Sequence, residues 1–289
     1  MNKAGKTGIK LQDKNFSPEI TSMCNLTVEL SSSYITSCVY DTINNEFIYF
    51  EKNNDSIALS SIIAAKEFKD FISENDLLKN QFKNTTFLIR TQGCTLVPLN
   101  IYNQKYQSSY IEFNNPLEPE FIVNSDILQS INLVNIYKIQ TDLKNAVLDF
   151  NPHARILHSS SALIKGLFSI FKNKMSETTA FVNISSAYFD MIIISTEGLV
   201  FYNSFKYKTA EDLLYYVLFV FEQLKLKPLL TPLYLSGDIE TDSLIFELLY
   251  KYIGKLYILK HNTALKYSYA LDTIQEHYYF SLFNSELCE

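Results

Sequence analysis

The chain repeats itself, and that limits its possible folds more than any other feature. Residues 28–40, VELSSSYITSCVY, recur as residues 182–194, VNISSAYFDMIII, at an offset of 154. Val28 falls on Val182, Ser31 and Ser32 on Ser185 and Ser186, and Tyr34 on Tyr188. Apolar positions match too: Leu30 with Ile184, Ile35 with Phe189, Val39 with Ile193. Each copy continues into a short turn, another apolar strand and an amphipathic helix. A repeat of this length implies two copies of one folding unit, not a solenoid of short modules. The expected product is a two-lobed chain whose turns at 31–33 and 185–187 face each other across one cleft.

Hydrophobic content of 47% and aromatic content of 14% in 289 residues suffice for two cores, even without tryptophan. A net charge of −6 leaves no legible basic face, which argues against nucleic acid as the main partner. No run approaches the ~20 apolar residues of a spanning helix. The most apolar helix, 213–221, is too short and is flanked by Glu211, Asp212 and Glu222. The start, MNKAGKTGIKLQDKN, lacks the apolar stretch of a secretory signal. Cysteines 24, 38, 94 and 288 form no CxxC pair, so neither a disulfide framework nor a zinc site is expected. These features together predict a cytoplasmic protein with no membrane span.

Residues 1–20 read as a flexible tail. Strands at 24–30, 34–41 and 46–51 are joined by tight turns, which favour an antiparallel meander. A helix at 57–72 would present Ile62, Ala65, Phe68 and Ile72 on one face. Strand 86–91 follows. Residues 99–132, broken by Pro116 and Pro119, read as an insertion in a first lobe spanning 21–175. Strand 133–139, helix 141–150 (capped by Thr141), strand 154–158 and helix 160–172 (capped by Ser159 or Ser160) complete that lobe. The second lobe, 176–289, repeats the meander at 179–184, 188–195 and 199–205. It continues through helix 209–226, capped by Thr209, strand 233–236, helix 241–252, strand 255–259 and a helical segment near 271–286. The order β-β-β-α-β-α-β-α gives a mixed sheet with helices on its faces.

This duplicated order resembles the ribonuclease H-like unit of the actin-like ATPase superfamily, which includes actins, sugar kinases and the pilus-assembly actin-like proteins. VELSSSYI at 28–35 resembles their first phosphate loop, usually IDIGSSSV. VNISSAYFD at 182–190 resembles the second, usually VDIGGGTTD, and LYLSGD at 233–238 the adenosine loop, usually LxGGG. The chain is more closely similar to an uncharacterised bacterial family of this fold, in which segments like Thr95–Pro98 and His158–Ile164 recur. The resemblance covers about residues 24–285. It implies an α/β protein of the actin-like ATPase (duplicated ribonuclease H-like) fold, with two lobes of mixed five-stranded sheets flanked by helices. It also implies nucleotide-contacting positions at Glu29, Ser31, Ser32, Ser33, Ser185, Ser186, Asp190, Ser236 and Gly237.

At those positions the chemistry departs from the family. The leading aspartate is Glu29 in the first loop and the uncharged Asn183 in the second. Glycines, which let backbone N–H groups approach phosphate, have become Ser31, Ser185, Ser186 and Ala187. Tyr188 and Phe189 would crowd the second turn, and Asp238 would put a negative charge beside phosphate. No catalytic residue or resident cofactor is therefore expected. The function implied is a non-catalytic protein-binding or scaffold protein with a degenerate nucleotide cleft. The alternative is an ATP-binding switch or weak ATPase using Mg²⁺, with Glu29 and Asp190 as the metal-side carboxylates. A metabolite kinase would need a catalytic aspartate beside a glycine-rich pocket, and none is legible.

Other motifs have plainer readings. Gly5-Lys6-Thr7 lacks the first glycine and preceding strand of a phosphate loop. His158 reads as a hydrogen-bonded structural residue, and Ser159–Ser161 as helix caps rather than a nucleophile elbow. Glu240 and Asp242 read as complements to a helix dipole. Tyr267, Tyr269, Tyr278, Tyr279 and Phe280 are candidates for an interface or for packing.

Overall fold

The computed structural model describes residues 8–31, 34–53, 65–113, 116–172 and 176–288. The chain divides into two compact units. The first takes residues 1–165, 263–274 and 281–289; the second takes 166–262 and 275–280.

The first unit opens with strands β1 (Ile9–Gln12), β2 (Cys24–Leu30), β3 (Ile35–Asp41) and β4 (Glu46–Asn53). Helix α1 (Ala65–Glu74) and strand β5 (Asn84–Ile89) follow. Strand β6 (Cys94–Pro98), helix α2 (Gln107–Glu112), and strands β7 (Phe121–Leu128) and β8 (Leu133–Gln140) come next. Helix α3 (Thr141–Phe150), strand β9 (Arg155–His158) and helix α4 (Ser159–Phe171) end the first run, and the division between units falls inside α4.

The main sheet runs β1-β4-β3-β2-β5-β9. The meander β2–β3–β4 is antiparallel, whereas β5 joins β2, and β9 joins β5, in parallel. Strand β2 lies in the middle and is buried along nearly its whole length, which is why it shows no polar-apolar alternation. Its apolar residues meet Phe68 and Phe71 of α1 and Leu143 and Val147 of α3 in one core. Phe68 packs edge-on against Phe87 at 5.4 Å. The 57–64 part of the predicted first helix, including Ile62, lies outside the described residues.

The second unit contains β10 (Thr179–Ile184), β11 (Tyr188–Ser195), β12 (Gly198–Lys206), α5 (Ala210–Gln223), β13 (Pro232–Gly237), α6 (Leu244–Tyr252) and β14 (Lys255–Ile258). Its sheet order is β12-β11-β10-β13-β14, with the same mixture of antiparallel and parallel neighbours. Strand β10 matches β2 residue by residue. Val28 pairs with Ser37 and Leu30 with Ile35; Val182 pairs with Met191 and Ile184 with Phe189. Every partner is displaced by the offset read from the sequence. Even the register shift recurs, at Val39/Tyr40 and at Ile193/Ile194. Thr209 caps α5 through a reciprocal capping box with Asp212, and Leu213, Val217, Val220 and Phe221 form its buried stripe.

Several local expectations change. Residues 9–12 are not tail: Ile9–Gln12 pairs with Lys52–Tyr49, and the chain turns at a buried Asp13 that accepts a hydrogen bond from Ser268. The segment read as helix near 271–286 is helical at its end, where an α-helix at Phe280–Asn284 runs into a 3-10 turn at Ser285–Leu287, but residues 272–279 are turns. Strand β15 (Lys266–Tyr267) pairs with β4, and only α7 (Phe280–Asn284) is α-helical. Strand pairing and the stacking of Tyr267 on Phe47 fix residues 266–267, and the turns after them close through Ile274 N–H to Leu271 O and Tyr278 N–H to Gln275 O. Residues 263–274 and 281–289 thus fall in the first unit, whereas the sequence reading gave everything after 176 to the second. Thr141 is the first helical residue of α3 and caps nothing.

The stretch read as an insertion lies within a separate antiparallel sheet, β6-β8-β7, which begins at Cys94 and ends at Gln140. One face of β8 packs Val134 and Ile136 with Val97 and Ile111. The alternate positions are also buried: Asn135 and Tyr137 are fully enclosed, and Ile139 joins the main core. This sheet is therefore apolar on one face and polar at the middle of the other.

Candidate functional site

In the first unit Glu29 sits on β2 opposite Thr36 and beside Leu88. It is fully buried. Arg90, just beyond β5, places Nη1 3.4 Å from Glu29 Oε1, and Thr36 Oγ1 lies 3.5 Å from Oε2. The backbone fixes Arg90 there, since its N–H donates to Leu30 O at 2.9 Å. A carboxylate removed from water needs such a counter-charge, because desolvation costs several kcal/mol per ion. Ser31 closes the turn upon itself: its N–H and Oγ both donate to Tyr34 O, at 3.2 and 2.7 Å. Ser32 and Ser33 lie outside the described residues.

The second unit repeats this turn with different side chains. Ser185 N–H and Oγ donate to Tyr188 O at 2.9 and 2.7 Å. Ser186 and Ala187 are exposed. Asn183 stands where the first unit has Glu29, and its Oδ1 accepts from Ser236 Oγ at 3.1 Å. Asp190, cross-strand from Asn183, is buried and accepts from Tyr202 OH at 2.9 Å and from Ser204 Oγ. Tyr207 OH donates to Ser185 O at 2.6 Å. Phe189 does not crowd the turn, contrary to the sequence reading. Strand alternation turns it inward, where its ring lies 5.4 Å from Phe205.

The 236–238 loop is held from both sides. Gly237 N–H donates to His277 O and Asp238 N–H to Ile184 O, each at 2.9 Å. His277 Nε2 faces Ile239 O at 2.7 Å; a carbonyl can only accept, so this nitrogen carries the proton. Glu240 is not a helix-dipole residue: α6 starts later, capped by Ser243, and Glu240 accepts from Tyr278 OH at 2.5 Å. Gly237 has φ +84°, and a Cβ there would lie 2.1 Å from Ile184 O. Close packing on β10 accounts for this glycine.

A buried polar cluster in the first unit was not found from the sequence. Asp126 of β7 accepts from Ser161 Oγ (2.6 Å) and the His158 N–H (2.8 Å) on Oδ2, and from Tyr137 OH (3.0 Å) on Oδ1. Asn135 Nδ2 donates to both Ser160 and Ser161 hydroxyls at 2.8 Å. His158 Nε2 lies 3.1 Å from Thr91 O, so the proton is on Nε2, and Nδ1 accepts from Ser160 Oγ at 2.6 Å. Nδ1 also receives Ser160 N–H at 3.2 Å, so His158, not a serine, caps α4. Burial pushes the Asp126 carboxyl up to about 6 and His158 down to about 4. The serine run before an apolar helix was the one available signal; its partners come from strands 25–35 residues away. Among the described residues no group of three or more His, Cys, Asp or Glu could hold a metal ion.

Two mixed sheets that share one five-strand order, β4-β3-β2-β5-β9 in the first unit and β12-β11-β10-β13-β14 in the second, each with its turn after the central strand, define an actin-like ATPase fold. Within it the chain belongs to the family described as "Protein of unknown function (DUF3822)", whose model matches residues 13–256. A Bacteroides thetaiotaomicron protein with actin-like ATPase fold and unknown function superposes with a TM-score of 0.77 at 24% identity, over 84% of this chain and 93% of that one. The PilM-PilN type IV pilus biogenesis complex matches with a TM-score of 0.55 at 12% identity, over 92% of this chain and 98% of that one. No functionally curated protein matches. Among the described residues no helix is long and apolar enough to cross a membrane.

Proposed function

We propose that this protein is a non-catalytic member of the actin-like fold that works in the cytoplasm by binding another protein, its nucleotide site being degenerate. One observation carries the reading: both carboxylates available to a metal are engaged within their own units, Glu29 by Arg90 and Thr36, Asp190 by Tyr202 and Ser204. In working members carboxylate-held Mg²⁺ neutralises phosphate charge. Here the cation beside Glu29 is a guanidinium, and the carboxylate at the Asn183 position is lost. Ser31, Ser185, Ser186, Ser236 and Gly237 remain as hydrogen-bonding positions without the glycine-lined approach that phosphate needs. Four free cysteines suit a reducing compartment.

Calorimetric titration with Mg-ATP should show no binding, or binding weaker than ~1 mM, equivalent to about −4 kcal/mol. A saturating ligand would also raise stability, by ~2.7 kcal/mol at 100 times its Kd, and no such rise is expected. Micromolar affinity abolished by Glu29→Ala or Asp190→Ala would favour the ATP-switch reading instead.

The β6-β8-β7 sheet supports the protein-binding half of the proposal. Phe113 at the end of α2 is 88% exposed, and Tyr106 and Ile101 nearby in sequence are also exposed. Large exposed apolar side chains of this kind are enriched at interfaces. The pilus-biogenesis relative is likewise found in a complex, an analogy of fold only. Affinity capture with the intact chain should retain a protein that a Tyr106→Ser/Phe113→Ser variant loses. Identical captured sets would remove this surface from the proposal.

A further inference from the structure

The Tyr137 hydroxyl has one proton and two acceptors within reach, Asp126 Oδ1 at 3.0 Å and Ile156 O at 3.2 Å. It also accepts from Asn124 Nδ2 at 2.6 Å. With Asp126 ionised, all three donors around it point at its two oxygens, and Tyr137 is committed to Oδ1. A proton added to Oδ1 can be donated back to the Tyr137 oxygen, which then gives its own proton to Ile156 O. The His158 N–H and Ser161 Oγ bonds to Oδ2 keep their partners, weakened by the loss of the negative charge. The protonated arrangement contains one more hydrogen bond and one fewer buried charge.

We propose that Asp126 and Tyr137 form a proton-operated latch: one proton taken from solvent by Asp126 reverses the Asp126–Tyr137 hydrogen bond, sends the tyrosine proton to Ile156 O, and tightens the hold of the β6-β8-β7 sheet on β9 and the start of α4. Strands β7 and β8 belong to the small sheet and β9 to the main one, and the Asp126 and Tyr137 contacts join the two here. Groups facing Asp126 from each neighbouring element fit the assignment. Arg155 of β9 favours the ionised form, and His158, with its value lowered by burial, stays neutral above about pH 4. Tyr137 of β8 is held protonated by burial and by the Asp126 charge, with Cys94 of β6 acting in the same direction. Cys288 is likewise held as a thiol, pushed up to about 11 mainly by burial, with Lys165 of α4 opposing.

The sign follows from linkage. The folded carboxyl keeps its proton to about pH 6, whereas an unfolded aspartate releases it near 3.8. Between these values only the folded form holds the proton, so the latch is strongest below about pH 4 and is weakened as pH rises through 6. The test uses the full chain with ¹³C-labelled aspartate carboxyls, titrated by NMR. One resonance should titrate near pH 6 and be missing from Asp126→Asn. In Tyr137→Phe its midpoint should fall, because the protonated arrangement loses two hydrogen bonds, Asp126 to Tyr137 and Tyr137 to Ile156 O, and the ionised one loses only Tyr137 to Asp126. Exchange of the His158 amide, corrected for intrinsic pH dependence, should slow about tenfold from pH 7 to pH 5. A midpoint near the ordinary aspartate value, an unshifted or raised midpoint in Tyr137→Phe, or unchanged exchange would each overturn the latch. If Asp126→Asn fails to fold, the wild-type and Tyr137→Phe titrations still decide.

Discussion

Arg90→Ala is expected to destabilise the protein by about 3–5 kcal/mol, among the largest losses available to a single substitution. Glu29 is fully enclosed in the central strand, and Arg90 lies 3.4 Å away with a side chain only 7% exposed. Truncating the arginine leaves the carboxylate in the same dry site with its counter-charge gone. Glu29 must then take up a proton or draw water into the core, and either route costs stability. Adding Glu29→Gln should recover part of the loss, since a neutral amide needs no counter-ion. Equilibrium urea unfolding of the two single variants and the double variant measures the coupling. A loss below about 1 kcal/mol for Arg90→Ala would mean that the pair is solvated or weakly made, the regime of exposed ion pairs. That outcome would also reopen Glu29 as a metal-side group.

The duplicated sheets were legible because strand pairing leaves no slack. A one-residue slip would exchange the faces of every side chain, so two strands with the same pattern of apolar positions must pair in the same register. Hence the offset that places Val28 on Val182 also places Glu29↔Thr36 on Asn183↔Asp190, and one bulge on the other. Helix α5 was legible for a local reason: Thr209 and Asp212 cap it, and its apolar spacing is uninterrupted. What could not be read depends on contacts distant in sequence. Ile9–Gln12 looks like a polar tail until Lys52–Tyr49 is beside it. The last stretch has aromatic residues suited to a helix, yet Phe47 and Asp13 hold Tyr267 and Ser268 beside the main sheet, and the helix forms only from Phe280 onward.

The two turns after the central strands were legible in the sequence, and so were the serines, Glu29 and Asn183 that stand where the resembled loops carry glycine and aspartate. Arg90 was not, because its pairing with Glu29 requires knowing that β5 lies beside β2 and ends one residue before it. Phe189 misled for the converse reason. Beside a turn it looks like an obstruction, but it occupies the inward position that Ile35 holds in the first unit. Asp126 is one acidic residue in an apolar strand, and only the approach of His158 and Ser161 gives it a purpose.

Gly237→Ala separates a glycine kept for ligand approach from one kept for packing. A ligand-facing glycine can usually gain a methyl group with loss of binding and little loss of stability. At Gly237 the new Cβ would lie 2.1 Å from Ile184 O and 2.9 Å from Ile184 N, both backbone atoms of β10 that cannot rotate away. The backbone there is also left-handed, at φ +84°, which alanine adopts only with strain. Relief requires β13 to move off β10, breaking the 2.9 Å bond from Asp238 N–H to Ile184 O and disturbing the one from Gly237 N–H to His277 O. The expected cost is about 3 kcal/mol or more, from overpacking and backbone strain combined. It should appear in the absence of any nucleotide and be the same with Mg-ATP present. Gly198→Ala is the control: its φ of +135° also lies where alanine is strained, but apart from its chain neighbours no atom lies within 4 Å of the added carbon, so only the strain component should register. If the two variants lose the same stability, the clash at Gly237 is relieved without cost and the packing account fails. A Gly237→Ala protein of wild-type stability would return this glycine to the nucleotide loop that its sequence neighbourhood resembles.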